Sequence, residues 1–395
     1  MLTSGSRWSG ALAVAGALAL GLAGPVQAGW SLTWLDPLPG DDSSLPYAVS
    51  ADGSTLVGQS SRGAYHNDYR PEAFRWTPSG GMTGLGFLPG YAWSEAHGVS
   101  ADGSVVVGYS QAAIGEHMHA GGEAFRWTED TGPVGLGHLQ ADDLSWAYGV
   151  SADGSVVVGY SGNMGRNDTA FLWTPQGKMT ALPLPAGGAW SRANAVSADG
   201  SVVVGEWGTD SSHEGAFRWT AALGSVGLNS LPGGGLTYVY GLSADGSVIV
   251  GEGSDGRAAR WTETEGLLHL VSPAQDPDHS AATAVSDDGS FIVGYWRSVT
   301  PFLWDAAHGA RDLRQLLAAN GVDLGQGFLL AAHDVFFDGQ TIVIAGEGVD
   351  PNGAGLKVWM ARAVIPEPST AALVSLAAVG LAARFGRRRP GGLRR

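Results

Sequence analysis

The chain contains no cysteine, which excludes disulfides and thiolate metal sites. Basic residues are scarce as well, with 22 Lys and Arg against 37 Asp and Glu and a formal net charge of −15. Seven of the arginines lie at the two termini, so the body sets 15 basic residues against 36 acidic ones. Phosphate binding needs a basic surface, and a nucleic-acid partner is not expected. Long apolar runs are missing too. The two that occur, 11–23 and 371–383, fall short of the roughly 18 residues of a comfortable membrane helix. No P-loop, GxSxG elbow, HExxH or EF-hand loop is present. Gly251 to Gly256 spells GxGxxG, but the residues after it, Ala258 to Thr262, read as a strand. A pyrophosphate would find no helix N-terminus there.

What is present is repetition. The chain holds 62 Gly and 15 Trp in 395 residues, and Val99-Ser100-Ala101-Asp102-Gly103-Ser104-Val105-Val106-Val107-Gly108 returns in variant form along its length. The Asp-Gly step recurs at Asp52, Asp102, Asp153, Asp199, Asp245, Asp288 and Asp338, 43 to 51 residues apart. A period in this range marks solenoids or propellers. Asp-Gly between β-rich runs is a hairpin signal, because the turn needs positive φ where glycine is free to go. Each unit therefore reads as four strands: a period-2 segment before the turn, a β-branched run after it, an Ala-Phe-Arg-Trp segment, and a Gly-Leu-Gly segment. The third-strand Trp (Trp76, Trp127, Trp173, Trp219, Trp261, Trp304 and Trp359) is expected to pack between neighbouring units.

The ends of the body imply closure. Leu32 to Gly40 resembles a fourth strand standing alone, whereas the last unit stops after its third strand at Lys357 to Arg362. Pairing the two removes an open edge. The expected fold is all-β, a seven-bladed β-propeller of four-stranded repeats over 29–365, closed by the N-terminal strand. Ala310 to Asn320, with Asp312 and Gln315 spaced as a capping box, is expected to form a short helix before the last blade.

Residues 1–28 read as a signal peptide, with Arg7, an apolar run and Val26-Gln27-Ala28 as cleavage site. At the other end, Pro366-Glu367-Pro368 precedes the apolar run 371–383 and the arginines 384 and 387–389. Apolar-then-basic is a stop-transfer order. The three parts together resemble the PEP-CTERM sorting signal over 366–390. That resemblance implies an exosortase as processing partner, a transient transmembrane helix, and a destination at the surface or in the extracellular matrix of a Gram-negative bacterium. The repeat unit resembles the HAF family of extracellular repeats, although the His of its name is replaced at Glu72, Glu123, Thr169 and Gly215. Family membership implies an exported β-repeat protein and supplies no reaction.

Candidate function sits just before the Asp-Gly turn. There, small repetitive residues alternate with positions that change along the chain: Tyr47, His97, Tyr148, Asn194, Tyr240, Thr283 and His333, and two residues earlier Leu45, Glu95, Trp146, Arg192, Tyr238, Ala281 and Ala331. Diverse polar and aromatic residues on a channel-facing strand suit a ligand surface. The candidate residues are Glu95, His97, Trp93, Trp146, Tyr148, Trp190, Arg192, Asn194 and Tyr240. Trp93, Trp146 and Trp190, placed in the turn leading into the strand, are the candidate sugar platforms. Glu95, His97 and Arg192 form a group able to do acid–base work if they converge. His117 and His119, flanked by Glu116 and Glu123, have metal-ligand chemistry, but a loop with incidental histidines is commoner, and no metal, cofactor or catalytic residue is assigned. The reading is a non-catalytic binding or scaffold propeller for polysaccharide or a cell-surface ligand. The alternative is a propeller polysaccharide lyase or hydrolase with its site at the channel mouth.

Overall fold

The computed structural model describes residues 29–365 apart from 63–69, 113–120, 140–143, 164–165, 210–211, 229–234, 271–278, 298 and 352–354. Strand β1 (Trp30–Leu35) comes first. Antiparallel units of four strands follow in chain order. They are β2 (Ser43–Val49) to β5 (Gly81–Gly84) through β3 (Leu56–Ser61) and β4 (Glu72–Thr77), then β6 (Trp93–Val99), β7 (Val105–Gln111), β8 (Gly122–Thr128) and β9 (Gly132–Gly135). Next are β10 (Leu144–Val150), β11 (Val157–Asn163), β12 (Arg166–Thr174) and β13 (Lys178–Ala181), and β14 (Trp190–Val196), β15 (Val202–Gly208), β16 (His213–Thr220) and β17 (Gly224–Gly227). Then come β18 (Leu236–Leu242), β19 (Val248–Gly253), β20 (Ala258–Thr262) and β21 (Gly266–His269), and β22 (Ser280–Val285), β23 (Phe291–Trp296), β24 (Thr300–Asp305) and β25 (Gly309–Asp312). The last unit is β26 (Phe328–Phe337), β27 (Thr341–Val349) and β28 (Leu356–Val364), with β1 as its fourth strand. One parallel pair, Leu144 with Gly122, joins the second and third units.

First strands touch in cyclic order, β2–β6–β10–β14–β18–β22–β26 and back to β2. Closure is the antiparallel pairing of β1 with β28, where Thr33, Trp34 and Leu35 face Met360, Trp359 and Val358. The expected closing strand is therefore in place, although it ends at Leu35 rather than running on to Leu38. The fourth strands of the other units are only four residues long, and the Leu that follows turns inward: Leu85, Leu136, Leu182, Leu228 and Leu270 are all buried.

Three devices recur along the seams, and each traces to the repeat. Apolar clusters lie between adjacent sheets, as where Val57, Ala73 and Leu85 of one meet Ala96, Val106 and Phe125 of the next. A buried first-strand serine bridges the same seam, its Oγ accepting from the preceding third strand: Ala73 N–H to Ser94 at 2.9 Å, Ala124 N–H to Ser145 at 3.0 Å and Ala170 N–H to Ser191 at 3.1 Å. At the Asp-Gly end, the turns of the first five units each donate a backbone N–H to the next, as from Ala101 to the Ala152 carbonyl (3.0 Å), Ala152 to Ala198 (2.9 Å) and Ala198 to Ala244 (2.9 Å).

The third-strand Trp packs into these seams as expected, for example Trp173 with Val105 and Val107 of the preceding unit. Trp359 is a correction. It faces Gly346 in the ladder, the place that Phe217 takes opposite Gly205, while Ala361 holds the place of the other tryptophans. Larger than Phe and fully buried, Trp359 satisfies its indole N–H on the Glu347 carbonyl at 2.7 Å.

The helix α1 (Leu313–Ala319) is shorter than expected because Ala310 to Asp312 belong to β25. Asp312 caps it, accepting from the N–H groups of Arg314 and Gln315, and Leu313 and Leu317 are buried in the cluster beside the last unit. Among the described residues, no helix is long and apolar enough to cross a membrane. The signal peptide (1–28), the Pro366-Glu367-Pro368 motif and the apolar run 371–383 lie outside the described residues.

Candidate functional site at the channel mouth

The site is built by a fault in the ladder that recurs in every first strand. Pairing with the second strand shifts register between Pro46 and Ala48, Ala96 and Gly98, Ala147 and Gly149, and Ala193 and Ala195. It does so again between Val239 and Gly241, Ala282 and Ala284, and Ala332 and Asp334. The residue left over at each shift is the variable one: Tyr47, His97, Tyr148, Asn194, Tyr240, Thr283 or His333. A β-bulge frees one residue from the ladder and re-aims its side chain. The strand opposite must yield, and it does so with glycine. A Cβ on Gly205 would stand 1.9 Å from the Arg192 carbonyl oxygen, and one on Gly108 1.8 Å from that of Glu95. The Val-Gly step of the repeat is thus the other half of the bulge.

These bulges aim the variable side chains into one space on the ring axis. A cavity of about 380 Å³ is lined by all of them together with Arg192, Glu206 and Val239. Beyond the ring, toward the Asp-Gly turns, a second cavity of about 240 Å³ shares the same side chains and adds Asp287 and Asp334.

Of the sequence-predicted residues, Glu95, His97, Trp146 and Tyr148 come together. His97 stacks on Tyr47 (ring centroids 4.4 Å apart) and meets Tyr148 edge-on at 5.0 Å. Its Nε2 lies 3.3 Å from Glu95 Oε2 but outside hydrogen-bonding geometry. Glu95 also accepts from the Tyr47 hydroxyl at 3.4 Å. Arg192 does not join Glu95 and His97 in an acid–base group. Its Nε and Nη2 both go to Asp168 Oδ2, at 2.7 and 2.5 Å, and its guanidinium lies over Tyr160, 4.8 Å from the ring centroid. Asn194 donates to Glu206 Oε1 (3.2 Å) and to the Val239 carbonyl (2.8 Å), and Tyr240 donates to Glu252 Oε1 (2.9 Å).

The three tryptophans are not equivalent. Trp93 and Trp190 open their strands, whereas Trp146 sits two residues further in, at the place that Glu95 and Arg192 take in their own strands. Trp146 is no open platform, because Tyr109 stacks on it at 4.5 Å and Tyr160 leans on it at 5.4 Å. Trp190 anchors its N–H on the Thr209 carbonyl at 3.1 Å.

Sequence reasoning missed the second layer. Tyr109, Tyr160, Glu206, Glu252, Tyr295 and Glu347 each follow the second-strand glycine and stand behind the bulged ring. Three histidines pair with this layer: His213 with Glu206 (3.6 Å), His279 with Glu252 (3.7 Å) and His333 with Glu347 (3.6 Å). The signal available was the residue after the second-strand glycine, which is Tyr in three units, Glu in three and Gln in one.

Electrostatics follow from enclosure. Burial, reinforced by Glu95, pushes the Tyr109 hydroxyl far above the ordinary tyrosine range, and burial with Glu252 does the same to Tyr240. Both stay protonated donors. In the lower cavity Asp334 stands where the other units have Ala or Gly. It accepts from the N–H groups of Val49 (2.7 Å) and Val335 (2.8 Å). Burial, with Asp287 adding, raises its pKa to about 7, although the backbone donors and His333 pull the other way. Among the described residues, no cluster of three or more His, Asp or Glu is arranged to hold a metal ion. His117 and His119 lie outside the described residues.

No family model matches the chain, and no curated protein matches it. Among solved structures, an oligogalacturonate lyase in complex with manganese is similar with a TM-score of 0.53 and 13% identity, over 87% of this chain and 95% of that one. The β-propeller domain of Cps50 (Swd1) from Myceliophteria thermophila matches with a TM-score of 0.48 and 13% identity, over 83% and 99%. TolB from Acinetobacter baumannii matches with a TM-score of 0.42 and 11% identity over 80% of this chain, which spans 65% of that protein's length. At these identities the likeness concerns the fold alone: an all-β chain of four-stranded antiparallel sheets with β-propeller neighbours.

Proposed function

We propose that this chain is an exported surface or matrix protein, sorted by an exosortase through its PEP-CTERM tail. Its seven-bladed propeller is a non-catalytic binding scaffold that takes carbohydrate at the channel mouth. The observation that carries the reading is the repeated bulge. A backbone device kept in every unit presents four kinds of side chain, three Tyr, two His, an Asn and a Thr, and all of them line one cavity. Packing alone asks for no such variety, whereas a single ligand with an irregular polar outline does. Tyrosine and histidine faces beside carboxylate and amide groups supply the mixed apolar and hydrogen-bonding contacts that sugar rings need.

The second reading, a propeller lyase or hydrolase, draws on the Glu95–His97 approach of 3.3 Å. One experiment separates the two. The exported protein is screened on a glycan array, and each bound glycan is then incubated with it and examined for new reducing or unsaturated ends. Binding without new ends is expected, and cleavage would make the protein an enzyme. Intact-mass measurement of the same preparation should show the arginine-rich tail removed, and a retained tail would end the sorting proposal.

A further inference from the structure

The lumen carries a charge imbalance that says which carbohydrate fits. Glu206 lines the upper cavity, and Glu95, Glu252 and Glu347 stand directly behind it, in contact with Tyr47, Tyr240 and His333. Asp287 and Asp334 line the lower cavity. Against these six carboxyl groups, of which Asp334 keeps its proton up to about pH 7, Arg192 is the one Lys or Arg lining either cavity among the described residues, and His97, His213, His279 and His333 stand 3.3 to 3.7 Å from the four glutamates. Its charge is already matched by Asp168, which holds two of its nitrogens. Low-dielectric walls of one sign focus the field along a cleft and concentrate ligands of the opposite sign.

The surfaces around these charges are aromatic. Tyr47, Tyr148 and Tyr240 line the upper cavity, and Tyr240 remains 40% exposed beside Tyr238 at 38%. A cation is attracted to a ring face, and the attraction grows where water is displaced. The His97 and His333 rings line the same cavity, with their Nε2 atoms turned toward Glu95 (3.3 Å) and Glu347 (3.6 Å).

From this geometry we infer that the ligand is a sugar bearing a protonated amine, a 2-amino-2-deoxyhexose unit of a polysaccharide, its ammonium held between Glu206 and the tyrosine faces. The inference rests on the carbohydrate reading above and adds the sign of the ligand's charge. A uronate would meet the four glutamates and an arginine with its own counterion, and a neutral N-acetyl sugar would gain nothing from the field.

The test is calorimetric titration of the full exported protein with three hexasaccharides of equal length: β-1,4-linked glucosamine, its N-acetylated form, and galacturonate. The glucosamine hexamer should bind at least about tenfold more tightly than the other two, and weaken with added salt. Equal or tighter binding of the neutral or anionic hexamer overturns the inference and leaves the carbohydrate reading standing. No binding of any of the three overturns both. Glu206→Gln keeps the Asn194 hydrogen bond and should cost the glucosamine hexamer about fivefold in affinity, with the melting temperature unchanged. Loss of the melting transition would move the comparison to Glu252→Gln, which retains an acceptor for Tyr240.

Discussion

Each first strand has two ends with opposite habits. At the Asp-Gly end the copies are nearly identical. Ser100 Oγ donates to Asp102 and accepts from Val105 N–H at 2.9 Å, and Ser151, Ser197, Ser243 and Ser286 repeat the arrangement. Three residues back, at the bulge, the copies share a backbone while the side chain changes from unit to unit: Tyr, His, Tyr, Asn, Tyr, Thr, His. The difference separates what the ring requires from what the ring is for. A turn that passes a hydrogen bond to its neighbour admits one solution, so the first six units adopt it. A side chain released from the ladder into a lumen is under no such demand, and its identity is available to a ligand.

The comparison breaks most severely at the glycine opposite the bulge. Gly205→Ala would place a Cβ 1.9 Å from the Arg192 carbonyl and 2.8 Å from the Phe217 ring. Neither neighbour can retreat, since one is backbone and the other is fully buried. Overpacking of this kind should cost at least about 3 kcal/mol, read as a shift in the denaturant midpoint. Asn194→Ala, on the facing strand, should cost no more than about 1 kcal/mol, the worth of its hydrogen bonds. Similar losses for the two would mean that the bulged residues serve the fold after all.

This asymmetry also explains what could be read in the sequence. Turns, strand order and the helix cap were legible because each depends on residues close in sequence, as Asp102-Gly103 and Asp312 show, and the closing strand was legible because a lone fourth strand at one end matches a unit lacking one at the other. The bulge was not, because it is a relation between two strands, and alternate residues such as Ser94, Ala96 and Gly98 look like an unbroken period-2 strand. For the same reason the second layer went unseen: Val202-Val203-Val204 reads as a strand covered on both faces, and nothing local shows that Glu206 emerges beside the lumen. Trp359 misled by its identity. The residue type matched the other tryptophans, while the register placed it two positions away, against Gly346.

A smaller effect is expected where one unit departs from the rest inside the lumen. Asp334 replaces the Ala or Gly of the other bulges, and its carboxylate ties β26 to β2 through the Val49 N–H. Its pKa in the folded ring is about 7, against 3.8 for a free carboxyl. Between those values the folded chain holds a proton that the unfolded chain has released. Stability therefore falls as pH rises from about 4 toward 7, with a limiting slope of about 1.4 kcal/mol per pH unit. Because Asp334 faces the lumen, screening reduces the full value, leaving about 2 kcal/mol between pH 4.5 and 6.5. Denaturation across that range should show the decline in the native chain and its loss in Asp334→Asn. An unchanged slope in the variant would assign the effect to another group, with Asp287, also raised by burial, the next to replace.

The mildest change tests the repeated end itself. Asp102 accepts from Ser100 Oγ (2.8 Å), Ser104 N–H (3.0 Å) and Ser104 Oγ (2.7 Å), and these bonds hold its pKa down to about 2. In the last unit, Asp338 works without the serines, taking the N–H groups of Gln340 (2.8 Å) and Thr341 (2.6 Å). Asp102→Ala should lower stability by about 1 kcal/mol, the usual worth of a local cap. The stabilisation it removes is present above pH 3.8 and fades as pH falls toward 2, so wild type and variant should converge in acid. Ligand binding is the sharper readout. A turn that serves only the ring leaves affinity for the glucosamine hexamer unchanged, whereas Glu206→Gln, at the varied end of the neighbouring strands, lowers affinity and spares stability. Should Asp102→Ala weaken binding as much as Glu206→Gln does, the division between the two ends of the strand would not hold.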